Sequence, residues 1–452
     1  MPDPLGWAGS VGHGRVVALL DEPDAIRRAL DRFGFGADAA QLATARHAGW
    51  DATVAGFFRP AAGGPDTVVP TLPLIARPGK DASAADKKKA AQGRKAQQLQ
   101  IVIWWLDQMV VADHGLTERM TWFWHGHFAT SVQKVKSAPL MLAQNETLRS
   151  DALATFEKLA HAMIVDPAML VWLDGNDNVV GAANENLARE FMELFSIGHG
   201  AYSEDDVREA ARALTGWTVK RATGKARFGP RRHDDTAKTI LGTTADFDAG
   251  SFVDLVCAQP ASPPFLISRV WARLVGPLPL TTAVDDRLVA AYGSSGDITA
   301  LLRAVLAEHA FRDRQAGLVK QPVEWLAGLM RALRVRPSGL DPKEQRELAV
   351  GLRGMGQVPF LPPSVGGWPA GGAWLTTSAA VARLHTAKLV AGRADLKALT
   401  AASRLNRITA VGQLLGVGTW TTRTRNALAA AAGEPVALVV VAAVSPEYVV
   451  SG

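Results

Sequence analysis

The side chains able to do chemistry in this sequence are imidazoles and carboxylates scattered between positions 125 and 238. His125 and His127 stand two apart in Phe-Trp-His-Gly-His-Phe. Two imidazoles so spaced can approach one ion from a strand or turn, but on a helix they diverge by about 200°. His127 shares a helical face with Met120, Phe123 and Trp124, so it is expected to face the interior as a metal ligand, with His125 pointing away. Further on, Glu185, Arg189 and Glu193 recur every four residues and form a polar stripe opposite Leu187, Phe191 and Leu194. Glu190 falls at the margin of that apolar face instead. Partial removal from water raises a carboxyl pKa unless a cation pairs it, so Glu190 is a candidate catalytic acid and metal ligand, with Arg189 beside it to bind ligand.

His233 and Asp234, with Lys238 four residues beyond Asp234, sit in a presumed loop. His233 is a third candidate metal ligand, Asp234 a catalytic carboxylate, and Lys238 a ligand contact. Arg212 and Trp217 suit an anionic or planar ligand. If His127, Glu190, His233 and Asp234 meet, their mixed nitrogen and oxygen donors suit a divalent transition metal such as Zn, Mn or Fe. Metal-activated water then makes hydrolysis the expected reaction. The competing expectation is a non-catalytic accessory or binding protein in which these groups form a structural network. No GxxxxGK[ST], HExxH, CxxC or GxSxG occurs, which removes P-loop hydrolysis, zincin proteolysis and elbow-type acyl transfer from consideration.

The elements that must position these residues are helices. Periodicity of 3.6 predicts helices over 24–33 and 37–57, over 99–111 as an all-round apolar central helix, and over 148–164, 184–197, 203–216, 377–391, 407–415 and 421–432. Ser203 with Asp206 reads as a capping box, and Pro322 opens a helix at its first turn. Alternation around a Thr-Gly turn predicts one small β-hairpin near 217–229, the only sheet expected. Pro/Gly-rich loops are expected at about 59–80 and 357–374, the second long enough to be functional or mobile. The fold class is therefore all-α, a single large multi-helix domain over 1–452 with that one hairpin.

Composition agrees: 452 residues, 48% hydrophobic and 20% charged, supply one large core and exclude disorder. The net charge of +6 is modest. Only 80–95 approaches a basic stripe, so nucleic acid is not expected as a partner. The single cysteine, Cys257, forms no intramolecular disulfide and reads as a small buried hydrophobe. The longest uncharged apolar run, 436–444, is far short of the ~20 residues a membrane span needs.

Several stretches together resemble one bacterial family, catalogued as domain of unknown function 1800. They are FGFGADAAQ, FWHGHF, DPAML with WLDG, NENLAREFMELFSIG, YSEDDVREAARALTGW, HDDTAKTILG, KQPVEWLAGLMRAL, GQVPFLPPSVGGWP and SPEYVV, in the family's order across nearly the whole chain. The resemblance implies an architecture and candidate residues but no reaction. It also implies a sulfatase-like protein as partner, since family genes often neighbour one. Many members look exported by the twin-arginine route, whereas this N-terminus shows no Arg-Arg plus apolar signal, so a cytoplasmic location is expected.

Overall fold

The Leu116–His127 helix has almost no exposed face: every residue but Thr117 and Gly126 is buried, and the fold packs both of its sides. Met120, Phe123 and Trp124 enter one hydrophobic cluster, and Trp122 enters a second on the opposite side. In this computed structural model, which describes residues 18–59, 67–113, 115–220 and 222–452, the helix is a wall shared by two interiors. Helices Phe156–Ile164, Ala249–Cys257, Ser262–Leu274 and Ile298–Ala307 enclose the first. Helices Pro322–Ala332, Pro342–Gly354, Thr377–Ala391 and Pro435–Ala443 enclose the second. Each large apolar side chain withdrawn from water contributes roughly 2 kcal/mol, so the aromatic residues on both sides of this helix favour covering both.

The chain is mostly helical, as its periodicity implies. The basic stretch near 80–95 and the apolar one at 99–111 fuse into one 28-residue helix, Ala84–Val111, because Gln97 and Gln98 continue the helix between them. Its first half is largely exposed and its second buried. The capping box at Ser203 is present: Asp206 N–H donates to Ser203 Oγ at 3.2 Å, and Ser203 N–H donates to Asp206 Oδ2 at 2.8 Å.

The hairpin pairs Trp217–Lys220 with Lys225–Phe228, Trp217 opposite Phe228. It is not the only sheet. Lys238–Ile240 pairs with Thr243–Ala245, and Leu318–Val319 pairs with Val450–Ser451 near the C-terminus. The first of these turns on Leu241 and Gly242, both at positive φ (48° and 78°), as a tight hairpin turn requires. Strands of two or three residues are too short for alternation to reveal them.

The 357–374 loop is tightly docked. Gln357, Phe360, Trp368 and Trp374 are buried, and Trp368 stacks on Trp122 with ring centres 5.0 Å apart. Of the 59–80 stretch, residues 67–78 form neither helix nor strand, while 60–66 lie outside the described residues.

Buried arginines tie the two interiors together. Arg32 donates to Ser451 Oγ (2.9 Å), Ser451 O (2.5 Å), Val275 O (2.6 Å), Leu274 O (3.3 Å) and Ala316 O. Arg119 pairs with Glu324, and Arg331 donates to the carbonyls of Gly36, Val110 and Ala112.

Candidate functional site

Both histidines of the FWHGHF segment are buried, His125 at 1% exposure and His127 at 2%. The expectation that only His127 faces an interior is corrected here: opposite faces of one helix meet opposite clusters. His125 lies among Trp105, Trp122, Phe360 and Trp368, and its Nε2 accepts the Phe360 N–H at 3.0 Å. Burial lowers its pKa to about 3, so it is neutral and pins the 357–374 loop. His127 is ringed by Phe123, Trp124, Phe128, Phe156 and Phe195. Its Nε2–H donates to Phe195 O at 2.8 Å, and its Nδ1 has no partner. Burial first, then the charge of Arg269, hold this imidazole far below its ordinary pKa.

The 184–197 segment is not one regular helix. After Asn186–Glu190 the chain widens into a π turn over Phe191–Ser196, with Ile197 N–H and Gly198 N–H both reaching Met192 O. The extra residue per turn breaks the polar stripe. Arg189 pairs with Glu185 (3.0 Å) and Glu204 (2.8 Å), while Glu193 turns to accept the Tyr202 hydroxyl at 2.6 Å. Glu190 is half-buried, and that burial, with Glu193 nearby, raises its pKa.

The residues beyond the hairpin form a compact polar knot. Thr215 Oγ1 accepts the Asp234 N–H (2.8 Å), and His233 Nδ1 lies 3.0 Å from Thr215 O. Arg212 Nε donates to Asp234 Oδ2 at 2.8 Å, and Arg212 also pairs with Glu209. Trp217 packs on Phe228 across the hairpin, ring centres 5.4 Å apart. Lys238 is enclosed by the Lys238–Ile240 strand and the Glu204–Ala213 helix, its Nζ without a partner.

Arg212 first, then the Thr236 hydroxyl, hold the Asp234 carboxyl well below the usual carboxylate range. A depressed folded pKa stabilises the fold fully above the unfolded value of about 3.9, and that stabilisation is lost as pH falls through the folded value. Acid unfolding curves of the wild type and Asp234→Asn should therefore differ by about 2 kcal/mol above pH 4 and converge below it. A constant difference across that range would show that the pair is not the source.

No three of His127, Glu190, His233 and Asp234 bring their ligand atoms within 4.8 Å of one another. Among the described residues, one group of three His, Cys, Asp or Glu side chains brings its ligand atoms within 4.8 Å of one another: Glu157, His161 and Asp254. Glu157 and His161 stand one turn apart on the Phe156–Ile164 helix, and Asp254 faces them from Ala249–Cys257. His161 Nε2 is 2.7 Å from Asp254 Oδ1 and 3.9 Å from Glu157 Oε1. All three remain open to solvent, at 50%, 37% and 59% exposure for Glu157, His161 and Asp254. Cys257 is one turn beyond Asp254, and burial, with Glu157 and Asp254 nearby, pushes its thiol up to about 12, which makes it inert. The i, i+4 Glu-His pair was readable in the sequence, but its third member, 93 residues later, was not.

Fold and cluster together define a mostly helical protein with small hairpins and, among the described residues, one open group of a histidine and two carboxylates. A family model described as Protein of unknown function (DUF1800) matches residues 28–450, and the chain belongs to that family. Searches of curated proteins and of solved structures found no match. Among the described residues no helix is long and apolar enough to cross a membrane.

Proposed function

We propose that the protein binds a divalent transition-metal ion between the Phe156–Ile164 and Ala249–Cys257 helices, through Glu157, His161 and Asp254, and acts as a metal-dependent hydrolase. The observation that carries this is the close approach of one imidazole nitrogen to two carboxylates contributed by two helices. The donor set has two negative charges and one neutral nitrogen, which matches Zn2+, Mn2+ or Fe2+. Three protein ligands open to solvent leave a coordination position for water, the arrangement of catalytic rather than structural sites. A bound ion would lower the pKa of that water and supply a nucleophile near neutral pH.

Protein prepared without chelator should carry about one transition-metal ion per chain, and His161→Ala should bind it at least ~100-fold more weakly with its helical circular dichroism intact. Equal metal content in His161→Ala would exclude the site. Metal-dependent turnover of activated esters or phosphodiesters, lost in the same variant, tests the hydrolytic half.

A second reading is a non-catalytic accessory protein, with a sulfatase-like partner suggested by the family's gene neighbourhood. It is favoured by how the polar residues between 127 and 238 are used: His127, Arg189, Arg212, His233 and Asp234 all bond to neighbouring protein groups. Full metal occupancy without turnover would select it.

A further inference from the structure

Positive charge is not spread evenly over this chain. Residues 67–98 and 217–228 hold eleven Lys or Arg against two Asp, a local excess above the +6 of the whole molecule, so the remainder is net acidic. The fold brings these two stretches together. Residues 67–78 run along the exposed half of the Ala84–Val111 helix, where Gln97 Nε2 donates to Pro73 O at 2.8 Å. Lys87 Nζ donates to Lys80 O at 2.9 Å, and a Cβ at Gly93 would lie 3.0 Å from Ile75 Cδ1. The same segment meets the turn of the Trp217 hairpin: a Cβ at Gly224 would lie 3.6 Å from Leu74 Cδ2 and 2.9 Å from Leu140 Cδ2.

Two features of this face are unfavourable in water alone. Lys220 stands directly opposite Lys225 across the hairpin, a like-charge pair that weakens the ladder unless an anion lies over it. Among the described residues, none of Lys88, Lys89, Lys95, Lys220 and Lys225 has a carboxylate partner, and all five are exposed. The second feature is aliphatic. The 67–78 segment leaves Val68 92% exposed, Leu74 39% and Val69 36%. Aliphatic side chains beside lysines suit the boundary between lipid headgroups and acyl chains, where long lysine stems let the ammonium groups reach the phosphates. Single-stranded nucleic acid would call for aromatic rings on which bases stack, and residues 67–98 contain no Phe, Tyr or Trp.

We infer that this face docks the protein on an anionic lipid bilayer. Lysines of the Ala84–Val111 helix and of the hairpin meet the negative headgroups, and Val68, Val69 and Leu74 supply the aliphatic contact. Attachment is to the surface, since among the described residues no helix is long and apolar enough to cross a membrane. The inference does not depend on the proposed metal centre.

The test is co-sedimentation of the full chain with vesicles of phosphatidylcholine alone and of an equimolar mixture of phosphatidylcholine and phosphatidylglycerol. The mixed vesicles should bind the protein and the neutral ones should not, with binding weakened by added salt. Lys88→Glu with Lys89→Glu should weaken binding at least ~10-fold. Val68→Ser with Leu74→Ser, which alters no charge, should weaken it about tenfold and leave the salt dependence in place. Both pairs lie on exposed side chains, so melting temperatures should match the parent; Val68→Ser alone serves if the Leu74 change disturbs packing. Arg423→Glu with Arg425→Glu is the charge-matched control, on the Thr422–Ala431 helix, whose neighbours are the Arg407–Leu415 and Pro435–Ala443 helices. It should bind as the parent does. Equal loss in the control would assign the effect to net charge, and no binding to mixed vesicles would remove the docking face; either overturns the inference. So would a single-stranded poly-dT oligonucleotide that competes fully while the Val68 and Leu74 changes have no effect, because the face would then be a polyanion surface.

Discussion

Arg32→Ala is expected to lower stability by about 4 kcal/mol or more, a large share of the roughly 5–15 kcal/mol that holds a domain folded. Arg32 ends the Glu22–Arg32 helix, and its guanidinium is fully enclosed. Burial is the main reason its pKa falls well below the ordinary arginine value. What offsets that desolvation is five acceptors from three distant regions: Leu274 and Val275, Ala316, and Ser451 through both its hydroxyl and its carbonyl. Removing the side chain leaves four buried carbonyls short of a donor, each costing about 1–3 kcal/mol where water cannot replace it. Arg32→Met keeps most of the packed stem but none of the donors. If hydrogen bonding is the main term, methionine should recover little of the loss in urea unfolding; recovery of most of it would assign the effect to packing.

The partners of Arg32 also show why part of this structure was legible in the sequence and part was not. Local rules were sufficient where the determinant lies within a few residues. The Ser203–Asp206 box, the Trp217 hairpin with its Thr-Gly turn and the Thr377–Ala391 and Arg407–Leu415 helices fall where capping and periodicity place them. The same rules assigned His125 to the outside because an amphipathic helix has one apolar face, and they could not foresee a helix sandwiched between two interiors. They also treated 184–197 as uniform, although one extra residue in a π turn rotates Glu193 away from Arg189. The Glu157–His161–Asp254 cluster and the Arg32 bonds, which span 242 to 419 residues, depend on long-range packing that no local spacing encodes.

Gly367→Ala should be the most damaging single-methyl change in the 357–374 loop. A Cβ built at Gly367 lies 2.2 Å from the Gly126 carbonyl oxygen, and its backbone φ of +80° disfavours any L side chain. The atom struck is a backbone oxygen of a helix packed on both faces, and the new Cβ is fixed to the loop backbone, so relief requires the loop to lift. The strain of an L residue at positive φ costs roughly 1–2 kcal/mol, and the displaced loop then exposes Trp368, for a total of about 3 kcal/mol or more. Gly366→Ala is the matched control: its nearest contact is Ser364 Oγ at 3.6 Å, with no positive φ. The two variants should therefore differ by several degrees in melting temperature. The Trp368 and Pro369 carbonyls that hold Arg273 follow directly on Gly367, so lifting the loop also releases that guanidinium. Gly367→Ala should therefore lose stability in urea unfolding, whereas Gly366→Ala should keep it. Equal stability in the two variants would show that the loop accommodates the methyl group at Gly367 without lifting.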